Sequence, residues 1–446
     1  MKPKTLAIAA LTTFAALAVA AAFVPSTCLA STSRIIGLSR ASAKPGATLT
    51  VIGTGFGSSA SDSTVTFGGR PNAGGFAPVS KKARVLSWSN SRVKVRVPGM
   101  APGSHPVYVR VNGSCTNSYG FSIAPSKVIS GKTFTSSGSR GVELGAMHGV
   151  LYDNCTFEAT DKNINGTTAG VLTLGQNGNF YDNTFRDCTI KGNTGPGSGS
   201  GDYGVNGIKL VDISPGGQTH DVTFDGCTID TVSRMAFEAV EASRPGMTNI
   251  ALLGCTFEPA QNGEAISWDF VRNQVVGDAT YNHKCLVANC LIKGFDDKAN
   301  AQYGGAIESS GGGLEVLHTT IWAGDGPAFN IEGVGNGVHS MLLFDHVTVD
   351  YRHLYQQHST GSTRLFGMDS VSYAKFIHCA FNTGNSANHA YNAGDGRWLD
   401  CTHNDMHTST IGGYCGSVNG VPKTAAGYFD SGVVPSSNEN NLPRKD

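Results

Sequence analysis

From about residue 140 onward, apolar and polar positions alternate in short runs, each ended by Gly, Asn, Asp or Ser. Such runs predict strands whose Val, Ile and Phe side chains share one face and whose intervening residues share the other. One column of runs reads Gly141-Val142-Glu143-Leu144-Gly145, Val171-Leu172-Thr173-Leu174-Gly175, Gly207-Ile208-Lys209-Leu210, Ala236-Phe237-Glu238-Ala239, Ala265-Ile266-Ser267-Trp268, Ala306-Ile307-Glu308-Ser309 and Ala328-Phe329-Asn330-Ile331. A second column repeats a cysteine phrase: Asn154-Cys155-Thr156-Phe157, Asp187-Cys188-Thr189-Ile190, Gly226-Cys227-Thr228-Ile229, Gly254-Cys255-Thr256-Phe257, Asn289-Cys290-Leu291-Ile292 and His378-Cys379-Ala380-Phe381. With Thr319 and Val347 filling the cysteine slot of two intervening copies, the spacings are 33, 39, 28, 35, 29, 28 and 32 residues. Each repeat holds at least two strands and lacks a long amphipathic segment, so the repeats are expected to stack in parallel at about 4.8 Å around one core. The prediction is an all-β chain with a parallel β-helix over residues 125–424, followed by a polar tail at 425–446.

Residues 31–124 follow a different pattern. Short β-type runs split by Gly, Pro, Ser and Asn predict a small sandwich, with Phe67 and Trp88 between its sheets and Gly53 and Gly55 supplying positive φ at a strand end. Charge marks the same boundary. Residues 31–124 carry eleven Lys or Arg and one acid, Asp62, a net of +10; residues 125–446 carry twenty against thirty-two, a net of −12. The sandwich is expected to serve as a spacer or to cap the exposed first coil. Its basic stretch, Lys81, Lys82, Arg84, Arg92, Lys94, Arg96 and Arg110, has two outlets: an anionic polymer, or the acidic neighbour. Without interleaved aromatics to stack bases, no nucleic-acid partner is expected.

Residues 1–30 combine Met1-Lys2-Pro3-Lys4, an Ala/Leu-rich stretch and the small-residue ending Cys28-Leu29-Ala30, as in a secretory signal peptide cleaved after Ala30. No later apolar run is long enough for a membrane span. The expected product is secreted. Most of the eleven cysteines occupy the inward repeat slot as small apolar fillers and are expected to be free. Cys285 with Cys290, and Cys401 with Cys415, are the better-placed candidates for bridges.

Lys44-Pro45-Gly46, Val51-Ile52-Gly53-Thr54-Gly55-Phe56-Gly57, Val65-Thr66-Phe67-Gly68-Gly69, Val97-Pro98-Gly99-Met100-Ala101-Pro102-Gly103 and Asn117-Ser118-Tyr119-Gly120-Phe121 resemble the IPT/TIG module, which has an immunoglobulin-like fold. The repeats from residue 125 to about 420 resemble the right-handed parallel β-helix of pectate lyases, polygalacturonases and related carbohydrate-active proteins. That resemblance implies an extracellular polysaccharide partner, including acidic ones, and cleavage by a lyase or an inverting glycoside hydrolase. The same architecture serves adhesins, so a non-catalytic surface or glycan-binding protein is the alternative. Of the polygalacturonase phrases only Asp296-Asp297 is present, and the pectate-lyase Arg-x-Pro-x-x-Arg phrase is absent.

Alignment of the first column puts Glu143, Thr173, Lys209, Glu238, Ser267, Glu308 and Asn330 at one outward position on successive coils. Two residues on come Val211, Val240, Asp269, Ser310, Glu332 and, more loosely, Asp369. Glu238, Asp269, Glu308, Glu332 and Lys209 are therefore the candidate catalytic residues. Carboxylates two coils apart, near ~10 Å, are just compatible with the pair in an inverting hydrolase. In a lyase, Ca²⁺ held by Glu238, Asp269 and Glu308, or the cations Lys209, Arg234 and Arg244, would neutralise a uronate, with a lysine or arginine as base. Arg234, Arg244 and Tyr303 are candidate substrate-binding residues. Trp268 has a spacing that also fits an inward position. Cys401, His403, His407 and Cys415 have zinc-ligand chemistry without a standard spacing, and Cys401 is also expected to complete the cysteine column. Asn154, Asn183 and Asn289 are expected to form amide ladders at turns.

Overall fold

The structure, a computed structural model, describes residues 33–68 and 80–136 and, between 141 and 424, the strands and the short turns beside them. The regular elements described are all strands. The N-terminal sandwich contains β1 (Arg34–Leu38), β2 (Ser42–Ala43), β3 (Thr48–Thr54), β4 (Thr64–Gly68), β5 (Ser80–Lys82), β6 (Arg84–Trp88), β7 (Arg92–Arg96), β8 (Gly103–Val111), β9 (Ser114–Cys115) and β10 (Tyr119–Ile123). One sheet runs β1-β3-β7-β6; the other runs β2-β10-β8-β4-β5, with β9 beside β8. Strict alternation in β7, where Val93 and Val95 are buried and Arg92, Lys94 and Arg96 exposed, shows why a two-sheet core forms.

Phe56 and Phe67 fill that core, whereas Trp88 is half-buried and donates its indole N–H to the Phe56 carbonyl at 3.0 Å. Gly55 has the expected positive φ, at 77°. Gly53 does not: it is required because a Cβ there would lie 2.1 Å from the Arg34 carbonyl oxygen and 2.3 Å from the Phe56 ring. Close approach of β1 and Phe56, not a left-handed turn, selects this glycine.

The remainder is a parallel β-helix with three strands per coil. A module-side sheet runs from Lys127–Ser130 through Val150–Asp153, Phe180–Arg186, Thr219–Asp225, Ile250–Leu253, Lys284–Ala288 and Gly313–Leu317 to Trp398–Thr402. A cysteine-side sheet runs from Thr133–Ser136 to Asp405–His407, and a carboxylate sheet from Val142–Leu144 to Asn392–Ala393. An antiparallel hairpin, Tyr414–Val418 with Val421–Thr424, follows the coils. Inward side chains stack from coil to coil, as in Tyr152 on Phe185 and Phe185 on Phe224, with ring centroids 4.7 Å apart in each pair.

The cysteine slot is buried throughout, and Cys155, Cys188, Cys227, Cys255, Cys290 and Cys379 are free thiols. The residue before the slot has a left-handed backbone: Asn154, Asp187, Asn289, His318 and His346 have φ of 46–55°, and Gly226 and Gly254 have φ of 65° and 60°. Asn and Asp tolerate that turn, which accounts for Asn154 and Asn289 without an amide ladder. Asn183 acts across coils, accepting from Val150 N–H and donating to the Met147 carbonyl, each at 3.0 Å.

Two cysteine expectations are corrected. Cys285 and Cys290 are both free, because Cys285 lies in the module-side sheet between Ile250 and Leu314 while Cys290 lies beyond the turn on another wall of the core. Cys401 pairs with Phe376 in the module-side sheet and does not complete the cysteine slot. Its bridge to Cys415, and the metal set with His403 and His407, fall on side chains outside the described residues. Cys115 is disulfide-bonded.

The sandwich does not cap the first coil. It lies on the flank of the β-helix, where Ala251, Leu253 and Leu286 of the module-side sheet join the sandwich core and the Thr184 hydroxyl donates to the Pro102 carbonyl at 2.5 Å. Ala251, Leu253 and Leu286 are small or aliphatic, so they offer the sandwich an apolar seat. Among the described residues Lys127–Ser130 is the edge strand of the module-side sheet, and its Val128 is 54% exposed.

Candidate functional site

The carboxylate sheet takes the expected register. Parallel pairing aligns Glu143 with Thr173, Thr173 with Lys209, Lys209 with Glu238, Glu238 with Ser267, Ser267 with Glu308 and Glu308 with Asn330. The second column also aligns, Val211 with Val240, Val240 with Asp269, Asp269 with Ser310 and Ser310 with Glu332. The cause is the buried alternation of Ile208, Phe237, Ile266, Ile307 and Phe329, since a one-residue slip would turn each of them outward. Trp268 is fully buried and belongs to the core.

Within the column, Lys209 Nζ donates to Glu238 Oε2 at 2.5 Å, and the Asn206 amide donates to the same oxygen. Asn206 is itself fixed, because its Oδ1 accepts from the Met235 N–H at 3.2 Å. On the next two coils the Ser267 hydroxyl donates to Glu308 Oε2 at 3.0 Å. Lys209 is 2% exposed and Glu238 5%, whereas Glu308 is half-buried. Two carboxylates thus stand two coils apart, one gripped by a cation and an amide, the other by a hydroxyl.

The charge on Glu238 is already matched by Lys209, which does not suit a Ca²⁺ site centred on that carboxylate. Among the described residues no three His, Cys, Asp or Glu side chains come together as a metal site. The side chains of Asp269 and Glu332, and all of Arg234, Arg244 and Tyr303, lie outside the described residues.

A second polar cluster joins the domains. Lys81 on β5 donates to Asp221 Oδ2, which also meets His220 Nδ1 at 2.5 Å, while Asn249 donates to Asp221 Oδ1 at 3.0 Å. Burial pushes the Asp221 carboxyl up, but the His220, Lys81 and Asn249 contacts outweigh it and hold it below the ordinary range. Asp182, 3.9 Å from Lys81, is pushed up by burial in spite of the lysine. Nearby, His105 is held low by burial, against its bond to the Ala101 carbonyl at 2.8 Å. A cavity of about 580 Å³ adjoins the cluster between the domains, lined by His105, Pro106, Ile123, Thr223 and Leu253 among others.

A third buried acid lies on the module-side sheet. Glu315 is 1% exposed, and burial, with some repulsion from Asp345, pushes its carboxyl up to about 8.

Sequence reasoning missed Asn206, the Asp221 cluster and Glu315. Asn206 had a local signal, a polar residue at the head of a strand three positions before Lys209. Asp221 meets Lys81 across 140 residues of chain.

Residues 33–123 match the IPT/TIG domain. The TIG module therefore accounts for the whole sandwich and leaves the β-helix to be read from its own chemistry. No curated protein matches the chain. Among the described residues no helix is long and apolar enough to cross a membrane.

Proposed function

We propose that this is a secreted protein that cleaves an extracellular polysaccharide at the carboxylate sheet, by a pectate-lyase-like β-helix using inverting hydrolysis. The observation that carries the reading is the column Lys209, Glu238, Ser267, Glu308, in which two carboxylates sit two coils apart. That spacing, about 10 Å between strands, approaches the ~6.5–9.5 Å between carboxyl groups that leaves room for a water. Glu238, gripped by two donors, is the oriented group that would take a proton from water. Glu308 would protonate the leaving oxygen. Lys209 already donates its ammonium to Glu238, so it supports that carboxylate and is poorly placed to abstract a proton as a lyase base. The basic start, the Ala/Leu-rich stretch and the small-residue ending of residues 1–30 support the reading of a signal peptide cleaved after Ala30.

A second reading is favoured by the burial of Lys209 and Glu238: the pair holds the coils together and the β-helix binds glycan without cleaving it. A product assay on neutral and acidic polysaccharides, following reducing ends and unsaturated-product absorbance, separates the two. Reducing ends without absorbance, lost by roughly 10²-fold or more in Glu238→Gln and in Glu308→Gln, is the expected result. Absorbance would replace hydrolysis with a lyase mechanism. Folded protein that yields no product from any polymer would leave the binding reading.

A further inference from the structure

The TIG module docks through its β2-β10-β8-β4-β5 side, where Pro102, His105, Ser122 and Ile123 line the gap to the β-helix. The opposite sheet, β1-β3-β7-β6, turns its outer face to solvent. On that face Arg92, Lys94 and Arg96 are exposed along β7, and Arg84 is exposed on β6 directly opposite Arg96. The positions paired with the β7 cations from the other side are Thr48, Thr50 and Ile52, none of them acidic. Lys81 is the basic residue of the module that forms ion pairs with the β-helix among the described residues. The surplus charge therefore has not been spent on the acidic neighbour. Like charges directly opposite on a sheet destabilise it, so the Arg84–Arg96 pair costs the fold something, and within the chain Arg96 donates only to the Gly46 carbonyl, at 2.9 Å, and to no acid among the described residues.

We infer that this basic sheet face is a docking surface for a carboxylate-bearing polysaccharide, delivering it to the β-helix. The inference rests on the proposed polysaccharide substrate and narrows its class to uronate polymers. Charge complementarity carries it: cations on adjacent strands about 4.8 Å apart face successive carboxylates, and the β-helix, at net −12, would itself repel such a chain. The exposed apolar side chains on these strands are Ile36 and Leu86, with no exposed aromatic ring to stack a base.

The test is equilibrium binding of the full mature protein to polygalacturonate, with neutral dextran and duplex DNA as the other arms, at low and high salt. Binding to polygalacturonate that weakens with salt, and falls roughly tenfold in the Arg84→Gln/Lys94→Gln/Arg96→Gln variant, is expected, the scale of three exposed ion pairs. The Arg84→Lys/Lys94→Arg/Arg96→Lys variant should keep most of the affinity, which separates lost charge from lost folding. Glu238→Gln should bind normally while losing cleavage, so failure of the catalytic reading would not mimic failure of this one. Equal binding to dextran, no loss in the Gln variant, or tighter binding to DNA would each overturn the assignment.

Discussion

Lys209–Glu238 and Lys81–Asp221 are both lysine–carboxylate pairs with a buried acid, yet one is made inside a sheet and the other between two domains. The first is fixed by backbone register and cannot separate unless two coils do. The second is fixed by docking, and its partners can part as intact domains and recover their hydration. A buried charge is costly when its partner is removed and it cannot reach water. The same pairing chemistry should therefore have different energetic weight in the two places.

The sharpest test of that difference removes each lysine. Lys209→Met should cost about 3–5 kcal/mol in urea unfolding of the β-helix, because Glu238 would be left buried beside Asn206. Adding Glu238→Leu should restore most of it, since replacing both partners with apolar groups is often near neutral. An equal loss from Lys81→Met would erase the distinction between pairs held by register and pairs held by docking.

Glu315 extends the comparison to an acid whose shift is dominated by burial rather than by a cation. Its folded carboxyl, at about 8, lies above the ordinary value of 4.5, so the folded state holds a proton that the unfolded state has released. Stability should fall as pH rises from about 4.5 to 8, by on the order of a few kcal/mol, and then level off. Glu315→Gln should flatten this slope; a wild-type slope that survives the substitution would mean another group is responsible.

At the domain junction the sign reverses. Asp221 is held below its ordinary value of 3.8, so its contribution is present above that pH and is lost as pH falls through the lower folded value. Lys81→Met should cost about 1–2 kcal/mol of docking and leave the β-helix unfolding midpoint unmoved. Faster hydrogen exchange at Ala251 and Leu253, without change at Phe237 or Ile266, is the expected signature. Uniform faster exchange across both domains would show that the junction is not a separate unit.

What could be read from the chain follows the same division. Two strand columns and the register of the carboxylate sheet were legible, because each coil repeats the same inward positions and a buried face admits one register. The module-side strands, such as Phe180–Arg186, escaped notice because in several coils they run straight into the cysteine phrase with no turn glycine between. Flank docking was invisible for a different reason. Ala251, Leu253 and Leu286 look like any outward aliphatic side chains until another domain covers them. The basic stretch on residues 81–96 was visible as composition, but only the fold separates Lys81, spent on Asp221, from Arg84, Lys94 and Arg96 on the open face.

The smallest expected effect concerns the cysteine slot, where the repeats have already made the substitution. Thr319 occupies it with its hydroxyl donating to the Leu317 carbonyl at 2.9 Å, two residues back. Cys255 and Cys290 direct their thiols at the equivalent carbonyls, Leu253 at 3.5 Å and Ala288 at 3.4 Å. Val347 fills the slot with no polar atom and is equally buried. The slot thus selects a small side chain that either satisfies that carbonyl or leaves it to the backbone, and does not select sulfur. Cys290→Thr should change urea stability by less than about 1 kcal/mol, and Cys290→Ala should cost about 1 kcal/mol for the lost packing. The Cys290 N–H donates to Thr319 Oγ1 at 3.4 Å just as the Cys155 N–H donates to Cys188 Sγ at 3.4 Å, so a loss above about 2 kcal/mol in the threonine variant would mean that the slot selects sulfur after all.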